Sequence, residues 1–423
     1  MYLDNTNQKG VFFLLSWYIA TQAISQSLPI ASIGSRVISV PIDLIILFIV
    51  CLKINWNKVR IPKNKYFIVI CMLFIFQLLN IMVTYFLNMR NYQLIESLIN
   101  LFRWAVNIPA IIIIFNINKT YSIFKSSIAI LTNICLLLAI INILQYVFIG
   151  VDFDASRGAT AASTNLFSDG GGNYNIIGAI FGIVILLNMS DTSKFFNLKN
   201  LAILSIIISG SLVSSSRSSI LFLVPVLYYV SSYRFGFWKT FTILTITIAS
   251  VVYFLYITDS IILWNFLRLI SILDYFGYEN LYSNYDFSST LSRFEMWDRV
   301  ISEINLNSIF FGNGLGGVRW LDGEFGYYTA DNFYIETLHD AGLFGLLLYF
   351  YLFYSILFPA NKGIYLTNRD LRVVQMRALL FYILLINITG HMLNAKNISA
   401  LFLIFTALLF ADLNSKKLDK CAL

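Results

Sequence analysis

Long apolar runs, separated by short polar connections, fill most of this chain. Twelve of the runs are long enough, or nearly so, to cross the hydrocarbon core of a bilayer as helices, which takes about 20 residues. They lie at 11–33, 37–52, 66–87, 94–115, 123–149, 175–189, 199–214, 218–232, 240–258, 333–358, 374–393 and 398–413. We therefore predict an all-α, polytopic membrane protein with about 12 transmembrane helices.

One polar connection is much longer than the others. It runs from Asp259 to Asp331, spans 73 residues and holds ten acidic residues against four arginines. Apolar residues at three-to-four spacing predict an amphipathic helix over 290–305, with Arg293 and Arg299 on its polar side. The predicted apolar face comprises Leu291, Phe294, Trp297, Ile301 and Ile304.

The apolar runs and this long connection divide the chain into four parts. Residues 1–149 carry the first five helices, and 150–258 carry helices six to nine with a first functional outer loop. Residues 259–331 form one large outer loop, and 332–423 carry the last three helices and a cytoplasmic tail.

Basic residues are distributed unevenly between the two sides of the predicted membrane. With the N-terminus in the cytoplasm, nineteen of them lie on the inner side and nine on the outer side. Because short cytoplasmic loops carry an excess of Lys and Arg, this distribution predicts that both termini are inside. The net charge of +7 is then an orientation signal. Because no basic patch is interleaved with exposed aromatic residues, we expect no nucleic-acid partner.

The two sides also differ in the basic residue they use. Fourteen of the nineteen inner residues are Lys, whereas eight of the nine outer residues are Arg. A guanidinium presents a rigid fork that matches phosphate oxygens, so the outer face has the side chains that an anion site needs. The alternative is that these arginines cap helices and pair with loop carboxylates.

Three outer arginines are our candidates for a phosphate-binding site. Arg217 lies in a serine-rich turn, where hydroxyl and backbone donors add to the guanidinium. Arg293 lies in the predicted loop helix, and Arg157 follows two aspartates in a loop of small residues. Because two carboxylates need further oxygen ligands to hold a metal, we expect no metal and no other cofactor.

Residues 311–346 join a glycine-rich loop to the start of an apolar run. No strand precedes the glycines and no GK[ST] follows them, so they predict tight turns rather than a nucleotide loop. A helix that begins near Asp331 brings Asp331, His339 and Asp340 to its outer mouth. Asp331 is the first choice for a general base, with the other two behind it, although a lone His is more often structural.

Two further charges lie inside the fourth predicted span. Glu96 and Arg103 are seven residues apart, which places them on one helical face about two turns from each other. Charges at such depth usually face a protein interior or a wet cavity. We predict that they line a cavity open to the outside, and the alternative is a buried structural ion pair.

Four motifs in this order resemble the O-antigen polymerase and ligase superfamily of bacterial envelope glycan assembly. The first motif is Ser216-Arg217. The second is Arg293 and Trp297 followed by the run 309–316, which is similar to P-x-x-G-x-G-x-G. The third is Asp331-Asn332-Phe333-Tyr334, similar to HN-x-Y, and the fourth is Asp340 to Gly345, similar to E-x-G-x-x-G. Residues 173–178 also resemble the motif that opens the sixth span. The ligase branch carries His at the position of Asp331, which favours a polymerase.

The resemblance implies a GT-C-like glycosyltransferase of the bacterial inner membrane, with its active site on the outer face. Its expected substrate is an oligosaccharide on undecaprenyl diphosphate, and its expected partners are the bilayer and a chain-length regulator protein. The resemblance implies lipopolysaccharide or capsule polysaccharide as the product. The alternatives are an O-antigen ligase and, from another class, a flippase or transporter of lipid-linked oligosaccharide, which would not need a 73-residue outer loop.

Overall fold

The computed structural model describes residues 15–21, 59–86, 91–117, 120–148, 174–190, 197–213, 217–257, 288–306, 308–317, 330–359, 370–390, 393–394 and 396–421. After a helical segment at 15–21, the helices follow in this order: α1 (Lys65–Phe86), α2 (Asn91–Ala105), α3 (Asn107–Phe115), α4 (Thr120–Phe148), α5 (Tyr174–Ser190), α6 (Leu198–Val213), α7 (Arg217–Phe235), α8 (Phe237–Ile257), α9 (Ser288–Ser302), α10 (Ser308–Phe311), α11 (Phe333–Leu357), α12 (Leu371–Ile386) and α13 (Lys396–Cys421).

The described part of the chain is helical and contains no strand, which confirms the all-α prediction. Three of its helices are long and apolar enough to cross a membrane: Lys65–Phe86, Thr120–Leu144 and Phe333–Leu357. Every predicted span from 66–87 onward overlaps a described helix, although the span 374–393 was predicted too long, because α12 ends at Ile386. The span 37–52 and most of 11–33 lie outside the described residues, so the total of twelve spans stays a prediction.

The predicted span 94–115 covers two consecutive helices, α2 up to Ala105 and α3 from Asn107, and Val106 between them keeps right-handed helical backbone angles. Pro109 explains the break. It has no backbone N–H, so the carbonyl of Ala105 loses its usual helical donor four residues on. The structure places the interruption one turn before the proline, at Val106.

The loop helix α9 forms near its predicted position, but its buried face differs from the prediction. Val300 is completely buried, whereas Ile301 is half exposed. Val300 packs with Trp297 against Ala330 and Ile335. Both residues are β-branched and apolar, so the local sequence does not determine which of them is buried. Contact with the first turn of α11 determines it.

The hydrophobic core is built around helices that are buried on every side. Residues 176–188 of α5 and 398–413 of α13 are buried without interruption, and α12 is mostly buried. A helix that is apolar all round belongs in the interior of a bundle. By contrast, α8 exposes most of its described side chains, as expected of a helix whose surroundings are lipid.

The helix ends meet in two groups. At what we call the site end, the N-terminus of α11 meets the C-terminus of α12, because Phe333 N–H donates to the carbonyls of Asn387 (3.0 Å) and Gly390 (3.2 Å). At the opposite end, Arg372 of α12 forms an ion pair with Asp412 of α13. Arg372 also lies 4.9 Å from the centroid of the Tyr121 ring of α4.

Helix α11 is not continuous, contrary to the prediction. Gly342 has φ 65° and ψ −170°, which is a region of the backbone map that essentially only glycine occupies. A Cβ at this position would overlap the backbone of Phe310. The kink therefore requires glycine for two reasons. Other residues rarely adopt these backbone angles, and a side chain would leave no space for the segment that approaches here.

We expect Gly342→Ala to lower the free energy of unfolding by about 2–5 kcal/mol, because backbone strain and overlap with Phe310 add. Gly236 provides a matched control, since its φ is also positive (84°) but a Cβ there would have no neighbour within 4 Å. Gly236→Ala should cost only the strain, about 1–2 kcal/mol. Thermal unfolding of both variants in detergent measures the difference, and equal midpoints would contradict the close approach.

Candidate functional site

The first turn of α11 is fixed by a polar cap. Asn332 accepts hydrogen bonds through its side-chain oxygen from the N–H groups of Tyr334 (3.0 Å) and Ile335 (3.2 Å). The preceding Asp331 has φ 45°, a left-handed conformation that Asp tolerates better than most residues. Tyr334 OH donates to the carbonyl of Leu384 at 2.8 Å, which ties this turn to α12.

A loop of glycines docks on α11 immediately before its kink. Asn313 N–H donates to the carbonyl of His339 (2.8 Å), and Gly314 N–H donates to that of Asp340 (3.0 Å). Residue 342 is not helical, so carbonyls of the preceding turn leave the helical ladder and need other donors. The backbone of residues 312–317, which we call the glycine loop, supplies two of these donors.

The glycine loop and the kink hold each other in place. A Cβ at Gly312 would overlap the backbone of Asp340, just as one at Gly342 would overlap Phe310. Positive φ angles at Gly312 (79°), Gly314 (98°) and Gly316 (81°) let the loop turn tightly enough to present successive N–H groups. The glycines thus form tight turns before α11, as predicted from the sequence.

A buried histidine and a buried aspartate lie beneath this loop. His339 and Asp340 are 1% and 6% exposed. His339 Nδ1 is 2.8 Å from Asp340 Oδ1, and Asp340 Oδ2 accepts a hydrogen bond from Gly316 N–H at 2.7 Å. Both carboxylate oxygens therefore have a partner, as a buried charge requires.

The other ring nitrogen of His339 meets two side chains. Its Nε2 is 3.0 Å from Asn313 Nδ2 and 3.4 Å from Glu303 Oε2. A neutral ring with its proton on Nδ1 donates to Asp340 and accepts from Asn313. A ring protonated on both nitrogens donates to Asp340 and to Glu303. The cluster can therefore hold His339 in either protonation state.

Helices α1 and α2 support the glycine loop from its other side. Asn80 of α1 donates through Nδ2 to the carbonyl of Phe311, and the same nitrogen lies 3.5 Å from that of Asp340. Ser97 of α2 donates through its hydroxyl to the carbonyl of Leu315 at 2.5 Å. Four segments that are distant in sequence therefore meet at the site end.

An exposed ion pair lies near the start of α11. Arg293 Nε is 3.4 Å from Asp331 Oδ2, and the two side chains are 36% and 38% exposed. Trp297, one turn further along α9, donates through Nε1 to the carbonyl of Ala330. Glu303 follows α9 and contacts His339, so α9 lies alongside the first segment of α11, with one charged contact at each end.

Of the predicted site residues, the structure pairs Arg293 with Asp331 at the start of α11, and His339 with Asp340 shortly before the kink in α11. Arg157 lies outside the described residues. The helices that carry Glu96, Arg103 and Arg217 are described, but these three side chains are not.

The backbone of α7 still gives an approximate place for Arg217, which is its first residue. Tyr382 of α12 donates through its hydroxyl to the carbonyl of Ser219 at 3.2 Å. Tyr382 lies in the last turns of α12, so the N-terminus of α7 is at the site end of the bundle. Among the described residues, no group of three or more His, Cys, Asp or Glu is placed to hold a metal ion.

Residues 201–350 of the chain match the model of a protein family described as O-antigen ligase. Over these residues the chain resembles the O-antigen polymerase and ligase superfamily. This match confirms the resemblance predicted from the sequence motifs. No curated protein shows a significant match to the chain.

The part that matches the O-antigen ligase family includes Arg217, Arg293, Glu303, the glycine loop and the first segment of α11. The supporting residues Asn80 and Ser97 lie outside it. Sequence reasoning missed both of them, and also Glu303 and Asn313. Glu303 is one of ten acidic residues in its connection, and nothing local distinguishes it from the others.

We expect Asp340→Ala to lower the free energy of unfolding by about 3–5 kcal/mol, because it leaves the buried His339 and Gly316 N–H without their acceptor. Asp331→Ala is the matched control, since its pair with Arg293 is more than one third exposed. It should cost about 0–1 kcal/mol. Thermal unfolding in detergent compares the two variants, and a loss at Asp331 as large as that at Asp340 would contradict the burial difference.

Proposed function

We propose that this protein is a polysaccharide polymerase of the inner membrane. It would transfer a growing glycan from undecaprenyl diphosphate to a sugar hydroxyl of a second lipid-linked repeat unit. The observation that carries the proposal is the Arg293–Asp331 pair, which places a guanidinium beside a carboxylate in the part of the chain that matches the O-antigen ligase family.

Arg293 would bind the diphosphate. Its contact with Asp331 uses Nε, and the guanidinium has two further nitrogens with which to bind phosphate oxygens. As the bond from the sugar C1 to the diphosphate oxygen breaks, that oxygen keeps the electron pair and gains negative charge. A fixed cation at this position stabilises the leaving group without a metal.

Asp331 is the first choice for the general base. The acceptor hydroxyl oxygen forms a bond to C1 while its proton passes to the carboxylate, and displacement in one step inverts the configuration at C1. Asp331 is exposed enough to meet a sugar hydroxyl. His339 and Asp340 rank behind it because both are buried beneath the glycine loop.

The remaining arginines extend the proposal. Arg217 would contribute a second guanidinium that binds the diphosphate, which agrees with the position of the α7 N-terminus at the site end. Arg157 would approach from its loop, while Glu96 and Arg103 would line the cavity below.

The membrane arrangement belongs to the same proposal. The site end would face the periplasm, both termini the cytoplasm, and the helices would adopt a GT-C-like arrangement with about 12 spans and the four-part division given above. A chain-length regulator would bind the same outer face. The basic residues of the opposite end, such as Lys125 and Arg372, agree with a cytoplasmic position.

An O-antigen ligase is the second candidate, because that is the description of the matching family. A ligase would transfer whole glycans to a lipid A core instead of extending them. Deletion of the gene distinguishes the two functions: loss of a polymerase leaves glycans of a single repeat on the cell surface, whereas loss of a ligase leaves none attached.

We expect Arg293→Ala to lower the rate of chain growth by about 10²–10³, because one well-aimed donor to the leaving group is lost. Arg299 lies on the same helix and provides the control, so Arg299→Ala should retain nearly the full rate. The assay follows elongation of purified undecaprenyl-diphosphate-linked repeat units by the full-length protein in detergent. An Arg293→Ala variant with normal polymer length and yield would remove this residue from the mechanism.

A further inference from the structure

Two polar side chains from different segments meet over the buried ring of His339. Glu303 follows α9, Asn313 belongs to the glycine loop, and both contact the same nitrogen, Nε2. A carboxylate and a carboxamide are therefore neighbours at this point. The side chain of Glu303 is 29% exposed and Asn313 is partly exposed, so a ligand can reach both.

Hydrogen bonds hold the support beneath these two side chains. The His339 ring is fixed through Nδ1 by Asp340, and Asp340 is fixed in turn by Gly316 N–H. The backbone of Asn313 is also held, because its N–H donates to the carbonyl of His339. Binding groups that are already oriented lose little conformational freedom when a ligand arrives.

We propose that Glu303 and Asn313 form a binding site for a sugar of the lipid-linked repeat unit, an inference that rests on the proposed function. An ionised carboxylate only accepts hydrogen bonds, whereas a carboxamide both donates and accepts. Neighbouring hydroxyl groups on a sugar ring offer the matching set of donors and acceptors. Hydrogen bonds to the charged carboxylate are the stronger ones.

Charge separates this sugar site from the diphosphate site. The carboxylate of Glu303 would repel a diphosphate, so the anionic part of the substrate belongs with Arg293. Glu303 directly follows α9 and is ten positions after Arg293, a backbone separation of about 15 Å at the rise of an α-helix. This separation leaves room between them for the sugar that is attached to the diphosphate.

The test measures binding of a sugar without the lipid. The probe is the free repeat-unit oligosaccharide, released by mild acid from lipid-linked intermediates of the host and titrated into the full-length protein in detergent by calorimetry. We expect Glu303→Gln to raise the Kd by about 10-fold, because charge-assisted hydrogen bonds are lost while the side-chain volume is kept. Asn313→Ala should also raise the Kd and serves as the second variant if Glu303→Gln does not fold.

Glu295→Gln and Asp298→Asn are the matched controls, because both acidic residues are exposed on α9. Their Kd values should equal that of the wild type. Equal affinities of the Glu303 and control variants, or no binding by the wild type, would overturn the sugar site while leaving polymerisation to the elongation assay. Glu303-dependent binding by a wild-type protein that does not elongate its substrate would support the sugar site and contradict the polymerase.

Discussion

The close contact between two backbone segments determines the arrangement of the site end. At Gly342 helix α11 leaves helical geometry, and the carbonyls of His339 and Asp340 then accept hydrogen bonds from the glycine loop. Unpaired buried carbonyls are costly, so the kink and the loop form together or not at all. The position of His339, Asp340 and Asn313 follows from this one constraint.

The charged contacts along α9 and α11 differ in their surroundings, and this difference separates their roles. Arg293 and Asp331 form a pair that solvent and ligands reach. His339 and Asp340 are buried beneath the glycine loop, and His339 contacts the partly exposed side chains of Glu303 and Asn313. An exposed pair adds little to stability but is available for chemistry, whereas a buried pair must remain intact for the segment to keep its shape.

The sequence predicted the helices well because a long apolar run has few other stable structures in a membrane. Prediction from the sequence failed at positions whose structure depends on contacts with distant segments of the chain. The local sequence around Gly342 did not predict a kink, and in the structure the kink coincides with the close approach of Phe310, a residue from a distant part of the chain. The burial of Val300 instead of Ile301 likewise depends on Ala330 and Ile335. Arg293 and Asp331 were candidates from their chemistry, but Glu303 acquires its significance only through its contact with His339.

The burial of α13 on all sides has a consequence for biogenesis. This helix follows the others in the chain, yet 16 of its residues, 398–413, occupy the centre of the bundle. The ribosome therefore releases this deeply buried helix after the helices that pack around it. The earlier helices must remain separable in the plane of the membrane until α13 inserts among them, so closure of the bundle is a late event in assembly.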